Sequence, residues 1–202
     1  MERSLKVELF FDTETSDKID FKSNITYKSE NFPWIVQLGA VLAEDGIAYA
    51  ELNVIIKSDG RTIAAEAERV HNISIEKADL YGISEKAVAK IFIDLCSNAK
   101  TLIAHNMNFD SLMIAGLLYR CQDITCSEKL MLNKPKYCTM LNTTDLCKLK
   151  NPYGYRGYKW PKLQELHVHL FGEEFKGAHD AMFDIKATMK CYYKLKENGW
   201  IK

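Results

Sequence analysis

The sequence predicts an α/β fold, a mixed sheet with helices on its faces, and three observations carry that reading. Two apolar segments flank an Asp45-Gly46 turn, the signal of an antiparallel hairpin. The remainder of the chain alternates short apolar runs with segments of helical periodicity. A length of 202 residues, without internal repeats or a linker rich in Gly, Pro or Ser, suits one domain spanning 1–202.

Residues 5–11 are apolar and aromatic without clean alternation, so they predict a strand buried on both faces. That strand ends in Asp12-Thr13-Glu14-Thr15. Residues 15–33 are polar and loop-like, closed by Pro33. Residues 34–42 predict the second strand and 48–57 its antiparallel return. Short helices are expected over 63–70 and 74–81. A longer one follows Ser84 as N-cap, with Val88, Ile91, Phe92 and Leu95 at helical spacing. Residues 101–104 form a short strand feeding a helix over 108–120. The stretch 121–162 is the least regular, with helical character only over 139–148. Leu163, Leu166 and Leu170 give an amphipathic helix over 162–171 that stops at Gly172 and carries His167 and His169 on its surface. A last helix covers 180–197 before Gly199.

Composition is that of a globular protein, 47% hydrophobic and 27% charged. The 27 basic and 27 acidic residues cancel, so any attraction to nucleic acid must be local. No apolar stretch approaches the ~18 residues of a membrane span, and the first residues lack the apolar run of a secretory signal. Six cysteines without a C-x-x-C pair read as free thiols of a reducing compartment, and the cytoplasm is the expected location.

Three clusters carry the chemistry. Asp12 and Glu14 lie two apart on a strand and therefore share a face. Two carboxylates that close repel unless a cation neutralises them, and hard oxygen donors suit Mg²⁺ or Mn²⁺. The second cluster is His105-Asn106-Met107-Asn108-Phe109-Asp110, with Asp110 in a first helical turn where an anion is favoured. The third is Gly177-Ala178-His179-Asp180-Ala181-Met182-Phe183-Asp184. A separation of five puts His179 and Asp184 far apart on a regular helix, so they converge only if His179 lies in the entering loop. Asp180 is better placed as N-cap than as ligand.

Asp12-x-Glu14, His105-Asn106-x-x-Phe109-Asp110 and His179-x-x-x-x-Asp184 resemble the three motifs of the DEDDh 3′–5′ exonucleases, in the DnaQ-like branch. Ile35-Val36-Gln37-Leu38-Gly39-Ala40 resembles that family's second strand. Val70-His71-Asn72-Ile73-Ser74 resembles its VHGIT segment, with Asn72 in place of glycine. Leu163-Gln164-Glu165-Leu166 and Gly177 to Ala181 are also close to family wording. The resemblance runs from about residue 5 to 197 and implies a ribonuclease H-like fold with a mixed five-stranded sheet.

The resemblance further implies two metal ions held by Asp12, Glu14, Asp110 and Asp184. Asp12, Glu14 and Asp184 would bind one ion, Asp12 would share the second, and Asp110 would order the surrounding waters. His179 would be the general base, its ordinary pKa near 6.5 suited to neutral pH. The backbone of Thr13 is a candidate contact for the terminal nucleotide. Asn106 is either a substrate contact or a turn residue, and His71 either a substrate contact or a core or capping histidine. The reaction so implied is hydrolysis of terminal phosphodiesters of DNA, preferably at single-stranded ends, to nucleoside 5′-monophosphates. RNA is the alternative substrate, and an inert nucleic-acid-binding module the alternative class.

Residues 134–162 hold seven basic residues against Asp145, a local charge of +6 that leaves −6 on the rest. Tyr137, Tyr153, Tyr155, Tyr158 and Trp160 interleave with them, a pattern that suits phosphates and stacked bases. Gly154 and Gly157 suggest a bend or mobile flap around Tyr155 and Arg156; Arg156 and Lys159 are the expected contacts to the entering strand, and the alternative is a solvated loop whose aromatics pack on the body. The eighteen residues after Asp184 leave no counterpart of a polymerase-binding tail, so a stand-alone nuclease is expected.

Overall fold

The computed structural model describes residues 6–20, 25–121, 134–152, 154 and 156–201. The apolar run at the start of the chain becomes β1 (Glu8–Thr15), and the hairpin becomes β2 (Ile35–Glu44) and β3 (Ile47–Ile55). Asp45 and Gly46 both adopt positive φ, 51° and 84°, the backbone that a two-residue hairpin turn requires. β4 (Thr101–Ala104) and β5 (Lys136–Cys138) complete a five-stranded sheet in the order β3-β2-β1-β4-β5. β1 pairs antiparallel with β2 and parallel with β4, so the sheet is mixed.

Helices α1 (Ala65–His71), α2 (Ile75–Tyr81) and α3 (Glu85–Asn98) follow the hairpin. Ser74 and Ser84 cap α2 and α3 by accepting from Lys77 N and Ala87 N. α4 (Met107–Arg120) leaves β4 directly. After β5 come α5 (Thr139–Asn142), α6 (Thr144–Cys147), α7 (Leu163–Phe171) and α8 (Ala181–Glu197). Gly172 closes α7 in the left-handed conformation.

Alternation along β1 divides the core. Leu9 and Phe11 join one cluster with Phe92 of α3 and Met113, Ile114 and Leu117 of α4. Phe10 joins the other with Ile185 and Tyr192 of α8. Phe10 and Phe11 are both fully buried, each worth about 2–3 kcal/mol of transfer free energy. The central strand is thus clamped between α3/α4 and α8, and its last residues are held firmly between three elements.

Two expectations need correction. β5 falls in the stretch read as irregular; it pairs parallel to β4, from Leu102 opposite Lys136 to Ala104 opposite Cys138. His167 is buried, not on the helix surface: its Nδ1 lies 2.7 Å from the Glu173 carbonyl and its ring packs on Phe171 and Phe175. Among the described residues no helix is long and apolar enough to cross a membrane, and five cysteines are free. Cys126 lies outside the described residues, as do Tyr153 and Tyr155 of the proposed bend.

Candidate active site

Asp12 and Glu14 project from the end of β1 on the side of Phe10, towards α8. Opposite Asp12 on β2 stands Gly39. A Cβ there would come within 2.5 Å of Ile185 Cδ1 and 3.1 Å of Ala181, so only glycine lets the first turn of α8 lie this close to the sheet. Gln37 anchors the same junction: its Oε1 accepts from Ala181 N (3.4 Å) and its Nε2 donates to Asn53 Oδ1 (2.9 Å). Close approach of α8 carries Asp184, in its first turn, to the end of β1.

His179 precedes α8 with φ +70°, and Asp180 caps the helix by accepting from Met182 N and Phe183 N. The left-handed turn folds His179 back, and its amide donates to Asp184 Oδ2 at 3.1 Å. Gly177, with φ +85°, makes the bend possible; a Cβ there would strike the Phe183 ring at 2.6 Å. As a result one ligand atom each from Glu14, His179 and Asp184 lies within 4.8 Å of the others. The loop convergence demanded by the five-residue spacing is therefore present.

Asp110 arrives from the other face of the sheet. It is 2% exposed and accepts from Thr13 Oγ1 at 2.9 Å. Thr13 thus points its hydroxyl towards α4 while Asp12 and Glu14 point towards α8. All five motif residues, with Thr13 and Asn106, line one cavity of about 620 Å³. Asn106 enters it at φ +79°, just before α4.

Among the described residues no lysine or arginine pairs with these acids. Burial, then the charges of Asp110, Asp184 and Glu14, holds the Asp12 carboxyl well above the usual carboxylate range. Burial and Asp184 push Glu14 up to about 8. Burial raises Asp110 to about 7 against the opposing Thr13 hydrogen bond, and raises Asp184 to about 6 against the His179 amide. Four crowded carboxylates with one imidazole form a hard donor set that fits Mg²⁺ or Mn²⁺.

Other residues of the sequence reading stand elsewhere. His71 is buried at the end of α1, outside the cavity lining; its Nδ1 accepts from Ile73 N at 3.1 Å. Its Nε2 makes no regular hydrogen bond, although the nearby Thr15 carbonyl partly offsets the lowering of its pKa by burial. Arg156 is exposed away from the cavity wall, and Lys159 is paired with Glu165 rather than free for a phosphate. What the basic segment does give the cavity is Trp160, Pro161 and Lys162, followed by Leu163 and Gln164 of α7. Gln164 also clamps the loop leading to His179, donating to Phe175 O (2.7 Å) and accepting from Phe175 N (3.1 Å). Only the similarity of Leu163-Gln164-Glu165-Leu166 to family wording pointed there, and it named no role.

A central mixed sheet with acids converging from β1, α4 and α8 defines a nuclease of the ribonuclease H-like, DnaQ-like class. Residues 9–192 match the RNase_T exonuclease model, and the chain belongs to that family of metal-dependent exonucleases acting on nucleic acid. The chain is 26% identical over 171 residues to an uncharacterized exonuclease, CP81, of Escherichia phage 186, covering 77% of each. Its fold is similar to E. coli exonuclease I in complex with a dA16 oligonucleotide, with TM-score 0.74 and 19% identity over 95% of this chain. It is likewise similar to the zinc-bound form of the E. coli enzyme with single-stranded DNA, with TM-score 0.72 and 20% identity over 96% of this chain. The chain spans 41% of each of those two proteins, so the likeness concerns the shared fold.

Proposed function

We propose that the protein is a 3′–5′ exodeoxyribonuclease that releases nucleoside 5′-monophosphates from single-stranded DNA ends with two Mg²⁺ or Mn²⁺ ions. The observation that carries the reading is the convergence of Asp12, Glu14, Asp110 and Asp184 in one cavity, with no lysine or arginine among the described residues paired to them. Asp12, Glu14 and Asp184 would hold the ions, with Asp110 completing the acidic set from the α4 side. Ions so held would supply positive charge to lower the pKa of the attacking water and stabilise the leaving oxygen.

His179 takes the proton of that water. Its exposed place on the turn before α8 lets the imidazole reach a substrate entering from solvent, while its amide bond to Asp184 keeps it beside the acids. The Thr13 backbone and Asn106 border the place of the terminal nucleotide. A preference for DNA is supported by the oligonucleotide-bound neighbours of the same fold. We further propose that residues 1–202 act as a single stand-alone exonuclease domain.

The test is a degradation assay on matched 5′-labelled single-stranded DNA and RNA, with Mg²⁺, with Mn²⁺ and with chelator, beside an Asp12→Ala control. A metal-dependent ladder shortening from the 3′ end, faster on DNA and lost in the control, is expected. Binding without cleavage of either substrate would refute the reaction, and faster loss of RNA would refute the substrate.

A further inference from the structure

At the mouth of the catalytic cavity the indole of Trp160 is 62% exposed, and Trp160 is part of the cavity lining. Its backbone, by contrast, is fastened on both sides. Lys159 N donates to the Leu149 carbonyl (2.9 Å), and the Lys159 ammonium pairs with Glu165. The other Glu165 oxygen accepts from Lys162 N at 2.7 Å. Pro161 is buried, and its carbonyl lies 3.0 Å from His105 Nε2, whose Nδ1 lies 2.9 Å from Thr139 Oγ1. Burial lowers His105 to about 4, so the imidazole is a neutral strut. The backbone of residues 159–162 is thus fastened where the Trp160 indole is left bare.

From this pedestal we infer that Trp160 is a base-stacking platform for an unpaired nucleobase near the 3′ end, which makes the site selective for unpaired termini. The inference rests on the proposed nuclease reading and adds a specificity residue to it. An indole face stacks on any base, because every base has a π-face, so the contact selects for an unstacked strand and not for sequence. Lys162, lining the same cavity one residue beyond Pro161, is placed for the phosphate of the stacked nucleotide.

The experiment is done in chelator, where binding is read without cleavage. An oligothymidylate should quench the tryptophan fluorescence of the wild-type protein. Trp160→Phe should bind with nearly unchanged affinity, by anisotropy of a labelled strand, yet lose the quench. Trp160→Ala should bind about 10- to 100-fold more weakly. Replacing the last two 3′ nucleotides by abasic residues should abolish the difference between wild type and Trp160→Ala. A quench that survives in Trp160→Phe, wild-type affinity in Trp160→Ala, an equal loss on the abasic strand, or no binding by the wild type would overturn the inference. Quenching by a wild-type protein that cuts neither DNA nor RNA with metal would refute the proposed reaction and leave the stacking role supported.

Discussion

The two ends of β1 treat buried carboxylates in opposite ways. At the start of the strand, Glu8 is 3% exposed, but Lys196 reaches one of its oxygens at 2.6 Å and the Tyr193 hydroxyl donates to the other at 2.9 Å. At the far end, Asp12 and Glu14 face the further acids Asp110 and Asp184, which accept from the Thr13 hydroxyl and the His179 amide. The described residues place no lysine or arginine in a pair with them. A buried charge is tolerated when its partners are built in. Where no described lysine or arginine pairs with the acids, the proposed metal ions would supply the balancing charge. The first end is a structural joint, and the second is the proposed site.

The largest expected effect comes from breaking the acidic end. Asp12→Asn should lower the nuclease rate about 10³- to 10⁴-fold, the equivalent of several kcal/mol of metal charge stabilisation, in a steady-state assay on single-stranded DNA. In chelator the same variant should melt no lower than wild type, because it relieves repulsion instead of removing a partner. His179→Ala should cost about 10²- to 10³-fold in rate with little change in metal binding, measured by calorimetric titration of Mn²⁺. Equal loss of Mn²⁺ affinity would make the imidazole a ligand instead of a base.

The opposite end should behave inversely. Lys196→Met leaves Glu8 buried without its cation and should destabilise the fold by about 3 kcal/mol in denaturant unfolding, with metal-saturated activity of the folded protein nearly unchanged. The partial exposure of the lysine, 25%, keeps the figure at the lower end. A loss of activity without a loss of stability would erase the distinction between the two ends.

Much of this contrast was legible in the sequence, and the rest was not for identifiable reasons. The period-two spacing of Asp12 and Glu14, the DG hairpin, and the serine caps are local patterns that encode their own geometry. The turn at His179 was legible as a requirement, since five residues along a helix cannot bring it to Asp184. Gln37 was hidden in an apolar run, although its amide ties the start of α8 to the sheet. β5 has only three residues and is defined by pairing with β4, a contact no period reveals. His167 stands between Leu166 and Val168 in sequence, and its packing depends on Phe175 returning from the next loop. The basic count over 134–162 singled out Arg156 and Lys159, whereas the cavity is lined by Trp160 and Lys162 and Lys159 pairs with Glu165.

The smallest effect is also the most direct test of the central claim that the acidic end of β1 needs an external cation. Glu14, Asp110 and Asp184 are raised to about 8, 7 and 6, above the ordinary value near 4 that they regain on unfolding. The folded state therefore holds more protons between about pH 4 and 8, and metal-free stability must fall as pH rises through that window. The measurement is thermal melting at pH 5 and pH 8, in chelator and with Mn²⁺, for wild type and Asp12→Asn. A lower Tm at pH 8 than at pH 5 is expected for the chelated wild type, with recovery by Mn²⁺ at pH 8 and a much smaller Mn²⁺ response in Asp12→Asn. A wild-type Tm that neither falls with pH nor rises with Mn²⁺ would contradict the claim.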